Sequence, residues 1–172
     1  MAVSATRHDP LRGFKYKVTV VTPAGDHVQI GAQRVSGLRE ENEITEYRDG
    51  DEQGGVRKLP GLPTYDNITI ERGARLSDVT GGQALLEWRR VIQQAETDGS
   101  EDENAIRGSL QIEIFRRGKS ADAPADYTYN FTEVWPVVYE HSDLDGTSSD
   151  VWMERVEFAV ERAAQGFLSQ TQ

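Results

Sequence analysis

The sequence predicts a mainly β, α+β domain: an antiparallel β-sandwich or barrel with one packed α-helix. Three observations carry that expectation. Apolar residues recur at every second position in several short stretches, the period of a half-buried strand. Only the segment from about Gly82 to Ala95 has the spacing of a convincing amphipathic helix. Between these stretches stand clusters of Gly, Pro and Asp, residues that end regular structure for distinct backbone reasons.

Taken in order, Phe14, Tyr16, Val18 and Val20 alternate with Lys15, Lys17 and Thr19. Pro23, Gly25 and Asp26 supply a turn, and Val28, Ile30 and Ala32 alternate with Gln29, Gly31 and Gln33, so residues 14–36 read as a hairpin. Glu43 to Tyr47 offers another extended piece. A loop rich in Gly and Pro follows, from Gly50 to Pro63, with Pro60 and Pro63 stiffening it as a rigid connector. Ile68 and Ile70 start the next strand. In the helix, Leu85, Trp88, Ile92 and Ala95 form the apolar stripe. Leu110, Ile112 and Ile114 mark a strand, as do Tyr127, Tyr129 and Phe131, the latter ending near Trp135–Pro136. Residues 150–164 fit either period, and their β-branched and aromatic content favours a strand to about Val160. Trp88, Trp135, Trp152, Ile68 and Ile70 read as core.

Composition narrows the class. The chain has 172 residues, a net charge of −10 and no cysteine. Leu, Ile, Val and Phe make up about 22% of it, a lean core for one domain of this length. No stretch approaches a membrane span, so insertion by this chain is not expected. Met1 to Pro10 lacks an apolar signal region, which implies synthesis in the cytoplasm without a signal peptide. Residues 1–86 carry 11 bases against 12 acids, whereas residues 87–172 carry 8 against 17. The acidic runs lie at Glu40 to Glu52 and Glu96 to Glu103. The basic knots (Lys15/Lys17, Arg57/Lys58, Arg89/Arg90 and Arg116/Arg117/Lys119) are scattered, unlike a duplex-binding surface.

Catalytic and cofactor motifs fail on inspection. His8, His27 and His141 are far apart and lack the i, i+4 spacing of a zinc helix. Gly118-Lys119-Ser120 resembles the end of a phosphate loop, but Glu113 stands where its first glycine belongs. Asp49, Asp51 and Gln53 before Gly54 imitate an EF-hand, yet Pro60 occupies the position of the bidentate Glu. No nucleophile elbow occurs. The expectation is a chain that is no enzyme and takes no cofactor or metal.

Positive evidence comes from one run. VRKLPGLPTYDNITIERG at residues 56–73 resembles the signature of the tail-tube (inner tube) protein family of contractile-tailed phages and contractile injection systems. VSGLREENEITEYRDGD at 35–51, ALLEWRRVI at 84–92, FTEVWPVVY at 131–139 and ERVEFAVERA at 154–163 are similar to further segments of that family, in order. The acidic 96–107 connector, the 74–83 stretch and the 140–150 loop depart from its pattern.

The resemblance implies a structural subunit whose strands complete a hexameric barrel. Rings would stack into a hollow tube that conducts DNA or protein effectors without specific binding. Implied partners are further copies of the chain, a contractile sheath protein, and baseplate, spike and tape-measure proteins, in a phage tail or injection-system particle. Residues 1–172 would be one tail-tube domain, with an N-terminal arm (1–12), a long inter-ring loop (39–65), the acidic connector and a C-terminal tail (164–172). Carried onto this chain, the inter-ring segment holds Glu40, Glu41, Glu46, Asp49, Asp51 and Tyr65. Its carboxylates would meet bases of a neighbouring ring, with Arg57 and Lys58 as internal counter-charges. A tube initiator beside the baseplate is the alternative, although the chain stops within about ten residues of its last strand, which fits the plain subunit.

Physical reasoning agrees with such an assembly. Short strands on a lean core leave exposed edges, and ring closure removes them. Head-to-tail stacking of rings does not close, and yields a filament. A water-filled barrel would also explain strands with one apolar and one polar face. On that argument Lys15, Lys17, Gln29, Gln33, Thr69, Glu71, Gln111 and Glu113 are lumen-lining candidates, with outside solvent the other destination for each strand's polar face.

Overall fold

A computed structural model describes residues 13–48, 55–74, 81–98, 106–147 and 149–163. Alternating residues form nine strands and the striped segment forms one helix, among the described residues. The strands are β1 (Tyr16–Val21), β2 (His27–Ile30), β3 (Arg34–Ser36), β4 (Glu40–Tyr47), β5 (Arg57–Tyr65), β6 (Ile68–Gly73), β7 (Gly108–Ile114), β8 (Tyr127–His141) and β9 (Met153–Ala163). The helix α1 spans Gly81–Asp98 between β6 and β7. Seven strands make one antiparallel sheet in the order β2-β1-β7-β8-β9-β6-β3, and β4 and β5 pair apart from it as a two-stranded sheet.

The long strand β8 organises the sheet. Its first half pairs with β7, from Ile114 opposite Tyr127 to Gly108 opposite Val134, and Phe131 to His141 pair with β9. Register shifts occur beside Glu133 and Val137, and Glu133 adopts a positive φ of 55°. Bulges bend and twist a strand. The pairing regions of β8 overlap at residues 131–134, and both halves of the sheet feed one core. Val18, Val20, Val28 and Ile30 share a buried cluster with Ile68, Ile70, Val156 and Phe158.

The helix closes that core with the expected stripe. Leu85, Trp88 and Ile92 are buried, and the Trp88 ring lies 6.1 Å from that of Phe158. The indole N–H of Trp88 donates to the carbonyl of Ile106 at 2.7 Å, so its polar edge is satisfied where the rest is dry. Gly108 permits this approach, because a Cβ there would stand 2.7 Å from the Trp88 ring. On the buried face of β6 and β9, Arg72 and Glu154 form an ion pair of 2.7 Å with side chains only 6% and 4% exposed. The Tyr139 hydroxyl also donates to Glu154, and burial pushes the tyrosine's pKa up.

Several boundaries differ from expectation. The loop expected up to Pro63 contains strand β5, because the hairpin partner β4 supplies the pairing. Proline is tolerated there since a two-stranded sheet consists entirely of edges. The expected 14–36 hairpin breaks after Ile30, and β3 crosses to pair with β6. Strand β8 runs through Pro136 to His141, and α1 takes in Glu96–Asp98 from the acidic connector. The ambiguous terminal segment is strand β9. Trp152 is not core: it is 43% exposed, stacks on His141 at 4.5 Å and donates to the Ser142 carbonyl. Residues 1–12, 99–105 and 164–172 lie outside the described residues.

Candidate assembly surfaces

Two surfaces offer themselves for assembly, and strand register defines the first. Lys17 faces Glu113 across β1 and β7, and their charged groups are 3.2 Å apart. Thr19 lies between Gln29 and Gln111 in the neighbouring row. On the other half of the sheet, Glu71 lies between Arg34 of β3 and Arg155 of β9, while Thr69 lies between Ser36 and Glu157. Arg155 approaches Glu157 at 3.9 Å. Because side chains alternate across a strand, these groups share the face turned away from the core. Cations and anions meet across strands, so the face is polar without being a single-sign field.

Six of the proposed lumen residues therefore lie on one face: Lys17, Gln29, Thr69, Glu71, Gln111 and Glu113. Lys15 precedes β1, and its ammonium donates to the Lys119 carbonyl in the β7–β8 turn. Gln33 lies in the link between β2 and β3, with its N–H bonded to the Glu71 carbonyl at 2.8 Å. Lys17, Gln29, Gln111 and Glu113 lie in the β2-β1-β7 half of the sheet, and Thr69 and Glu71 in the β9-β6-β3 half. Arg34, Arg155 and Glu157 belong to the same face but were missed by sequence reasoning. Alternation at β9 could have found two of them had its strand character been unambiguous.

The second surface is the β4–β5 hairpin. Every residue of β4 is exposed, and β5 is exposed except at Gly61 and Tyr65, which are partly covered. At its base Glu40 faces Tyr65 and Glu41 faces Thr64, whose hydroxyl donates to the Glu41 carbonyl at 3.1 Å. Farther out Glu46 faces Lys58 and Tyr47 faces Arg57. Asp49 and Asp51 lie outside the described residues. The hairpin joins the body at Gly37, whose φ of +85° and close approach to the Asn67 carbonyl (1.9 Å from a would-be Cβ) leave no room for a side chain. Ile44, Tyr47, Leu59 and Leu62 are exposed on it, the apolar signature of a surface that meets another protein.

A third feature is electrostatic. In the β7–β8 turn the Asp126 carboxylate accepts the Arg116 N–H at 2.9 Å and the Lys119 ammonium at 3.1 Å. The backbone bond, then the Lys119 contact and both cations, hold its pKa below the usual aspartate range. Among the described residues no group of three or more His, Asp or Glu side chains is placed to hold a metal, and no helix is long and apolar enough to cross a membrane.

A charge-balanced sheet face, a projecting hairpin and a core spent on packing define a structural protein built for contact with other chains. The model of the family described as T4-like virus tail tube protein gp19 matches residues 12–164, and the chain belongs to that family. It is a structural tail-tube protein and not an enzyme. Solved structures agree in fold. The extended sheath–tube complex of the extracellular contractile injection system PVC contains a chain of 24% identity and TM-score 0.69, with 90% of each chain covered. A chain in the tube-terminating cap of the anti-feeding prophage has 22% identity and TM-score 0.71, covering 95% of this chain and 97% of its own. The SPP1 tail tube has 15% identity and TM-score 0.52, covering 90% and 77%. No curated protein gives a significant match.

Proposed function

We propose that this chain builds the inner tube of a contractile particle, as hexameric rings stacked around a lumen. The β4–β5 hairpin is the observation that carries the reading. An isolated two-stranded sheet is marginal in water, so a long exposed one calls for a partner that covers it. In a tube that partner is the next ring, reached by Glu40, Glu41, Glu46 and Tyr65, with Arg57 and Lys58 balancing charge inside the hairpin. One half of the polar sheet face lines the lumen, and its paired charges give passing DNA or protein little to bind. The other half faces outward toward a sheath. Folds like this one stand in a sheath–tube complex, a tube cap and a baseplate, which supports sheath and baseplate proteins as partners. A tape-measure protein and a translocated DNA or protein cargo complete the set. Such a subunit is made in the cytoplasm without a signal peptide and ends in a phage tail or injection-system particle. Nothing in the family match favours the tube-initiator alternative.

Negative-stain electron microscopy over a concentration series tests the proposal. Six-fold rings or hollow rods are the expected result. Monomers at every concentration, with none recruited onto a supplied baseplate, would overturn it.

A further inference from the structure

Two features of the molecule match each other in shape and polarity. The first is a knob. Between Asn42 and Ile44 the ladder of the hairpin shifts register, so that Gly61 and Leu62 of β5 stand against Glu43 of β4. A Cβ on Gly61 would lie 2.8 Å from the Glu43 carbonyl oxygen, so only glycine lets the strands close over this bulge. Bulges re-aim side chains. The one beside Gly61 is Leu62, 75% exposed and among the most exposed large apolar residues described. A leucine held outward by a glycine-dependent bulge is a costly arrangement for a free surface.

The second feature is a socket. Between the β1–β2 turn and α1 lies an open groove of about 320 Å³, walled by Pro23, Ala24, Ala84 and Val91 over one edge of Trp88. Its surface is mostly apolar, and Asp26 stands at its margin. Glu87, also at the margin, is neutralised by Arg90 at 3.3 Å. The groove's volume takes a leucine side chain together with the adjacent Pro63. Among the described residues no ion pair to Asp26 is found, and Lys58, on the same strand as Leu62 and exposed, is a cation that the hairpin could share with it.

We propose that Leu62 of one copy seats in the groove between the β1–β2 turn and α1 of a second copy. Knob and socket are different surfaces of the same chain, so the contact is head-to-tail, and between stacked rings it propagates along the tube. It explains why the most exposed apolar residue of the hairpin is placed at a bulge. The inference rests on the tube reading and names the surface that receives the hairpin.

The absence of native cysteine allows a direct test. Single-cysteine variants Leu62→Cys and Ala24→Cys are mixed, allowed to polymerise, and treated with a short bismaleimide. The expected product is a covalent dimer from the mixture and none from either variant alone. Leu62→Asp should raise the concentration needed for polymerisation about tenfold or more, with an unchanged circular dichroism spectrum, and Leu62→Met should restore it. Polymers of normal length that give no cross-link overturn the inference and leave the tube reading standing. A link from Ala24→Cys to Phe167→Cys within one chain overturns it in favour of the chain's own tail as occupant. Absence of both polymers and cross-links, with nothing recruited onto a supplied baseplate, overturns inference and tube reading together.

Discussion

The seven-stranded body and the β4–β5 hairpin have the same secondary structure and opposite physics. In the body, alternate residues vanish into one core: Ile68, Phe158, Val18 and Val134 have no exposed surface. In the hairpin no residue of β4 is buried, although seven of its eight residues have partners across the ladder. Backbone hydrogen bonding is thus common to both regions, and only apolar burial separates them. Stability of the single chain resides in the body. The hairpin's apolar and charged side chains contribute once something covers them.

That contrast can be broken from the body's side first. Glu154→Leu would strand the buried Arg72 guanidinium and remove the acceptor of Tyr139, costing about 3–5 kcal/mol in urea unfolding. A loss below 1 kcal/mol would show that water reaches the pair. Next comes the joint between the regions. Gly37→Ala places a Cβ against the Asn67 carbonyl at a left-handed φ, and should cost about 1–3 kcal/mol while displacing the hairpin. Unchanged melting and unchanged polymers would mean that the joint tolerates rearrangement.

Acid should separate the regions further. The pKa of Asp126 is lowered in the folded chain, so its stabilising contribution is present above the ordinary aspartate value, about 4, and disappears as pH falls through the lower folded value. Asp126→Asn should therefore lower the melting temperature at neutral pH and lose the difference from wild type in acid. A gap that persists at about pH 2 would place the effect in packing rather than ionisation.

The smallest stability change belongs to the hairpin. Glu41→Lys with Glu46→Lys should alter unfolding by less than about 0.5 kcal/mol, since both side chains are exposed, yet shorten or abolish polymers. Wild-type tube lengths in that variant would remove these carboxylates from the ring contact. Polar-face thiols sharpen the same contrast without touching stability. In assembled tubes, Gln111→Cys and Thr69→Cys should differ in reaction with a bulky maleimide, because only one half of the polar face lines the proposed lumen. Equal labelling would show that neither half is enclosed.

Much of the body was legible because its signals are local. Val18 and Val20, Leu110 and Ile112, and Leu85, Trp88 and Ile92 each declare a face through spacing alone. Where two local signals conflicted, reading failed: Pro60 and Pro63 outweighed the strand character of Leu59 and Tyr65, since the partner that tolerates proline comes from β4. Trp152 was misplaced for a related reason. Its bulk argues for burial, but the chain sets it beyond the end of the core, where His141 covers one side of its ring.

The acidic segment at 40–52 was recognised as a contact element by resemblance, and its hairpin geometry was not, since a bulge at Gly61 leaves no period to detect. By itself, then, the sequence determined the class of fold, the polar and apolar faces of most strands, the helix stripe and the family. Those properties follow from side-chain alternation and from motifs read within a few residues. Tertiary structure alone decided that β3 leaves β2 for β6, that β8 shifts register at Glu133, and that Arg72 finds Glu154 at a separation of 82 residues. It also decided that Leu62 faces solvent and that the polar face is shared by strands far apart in the sequence. Each of these depends on which distant segments pair, and pairing is settled by burial of a shared core that no local window contains.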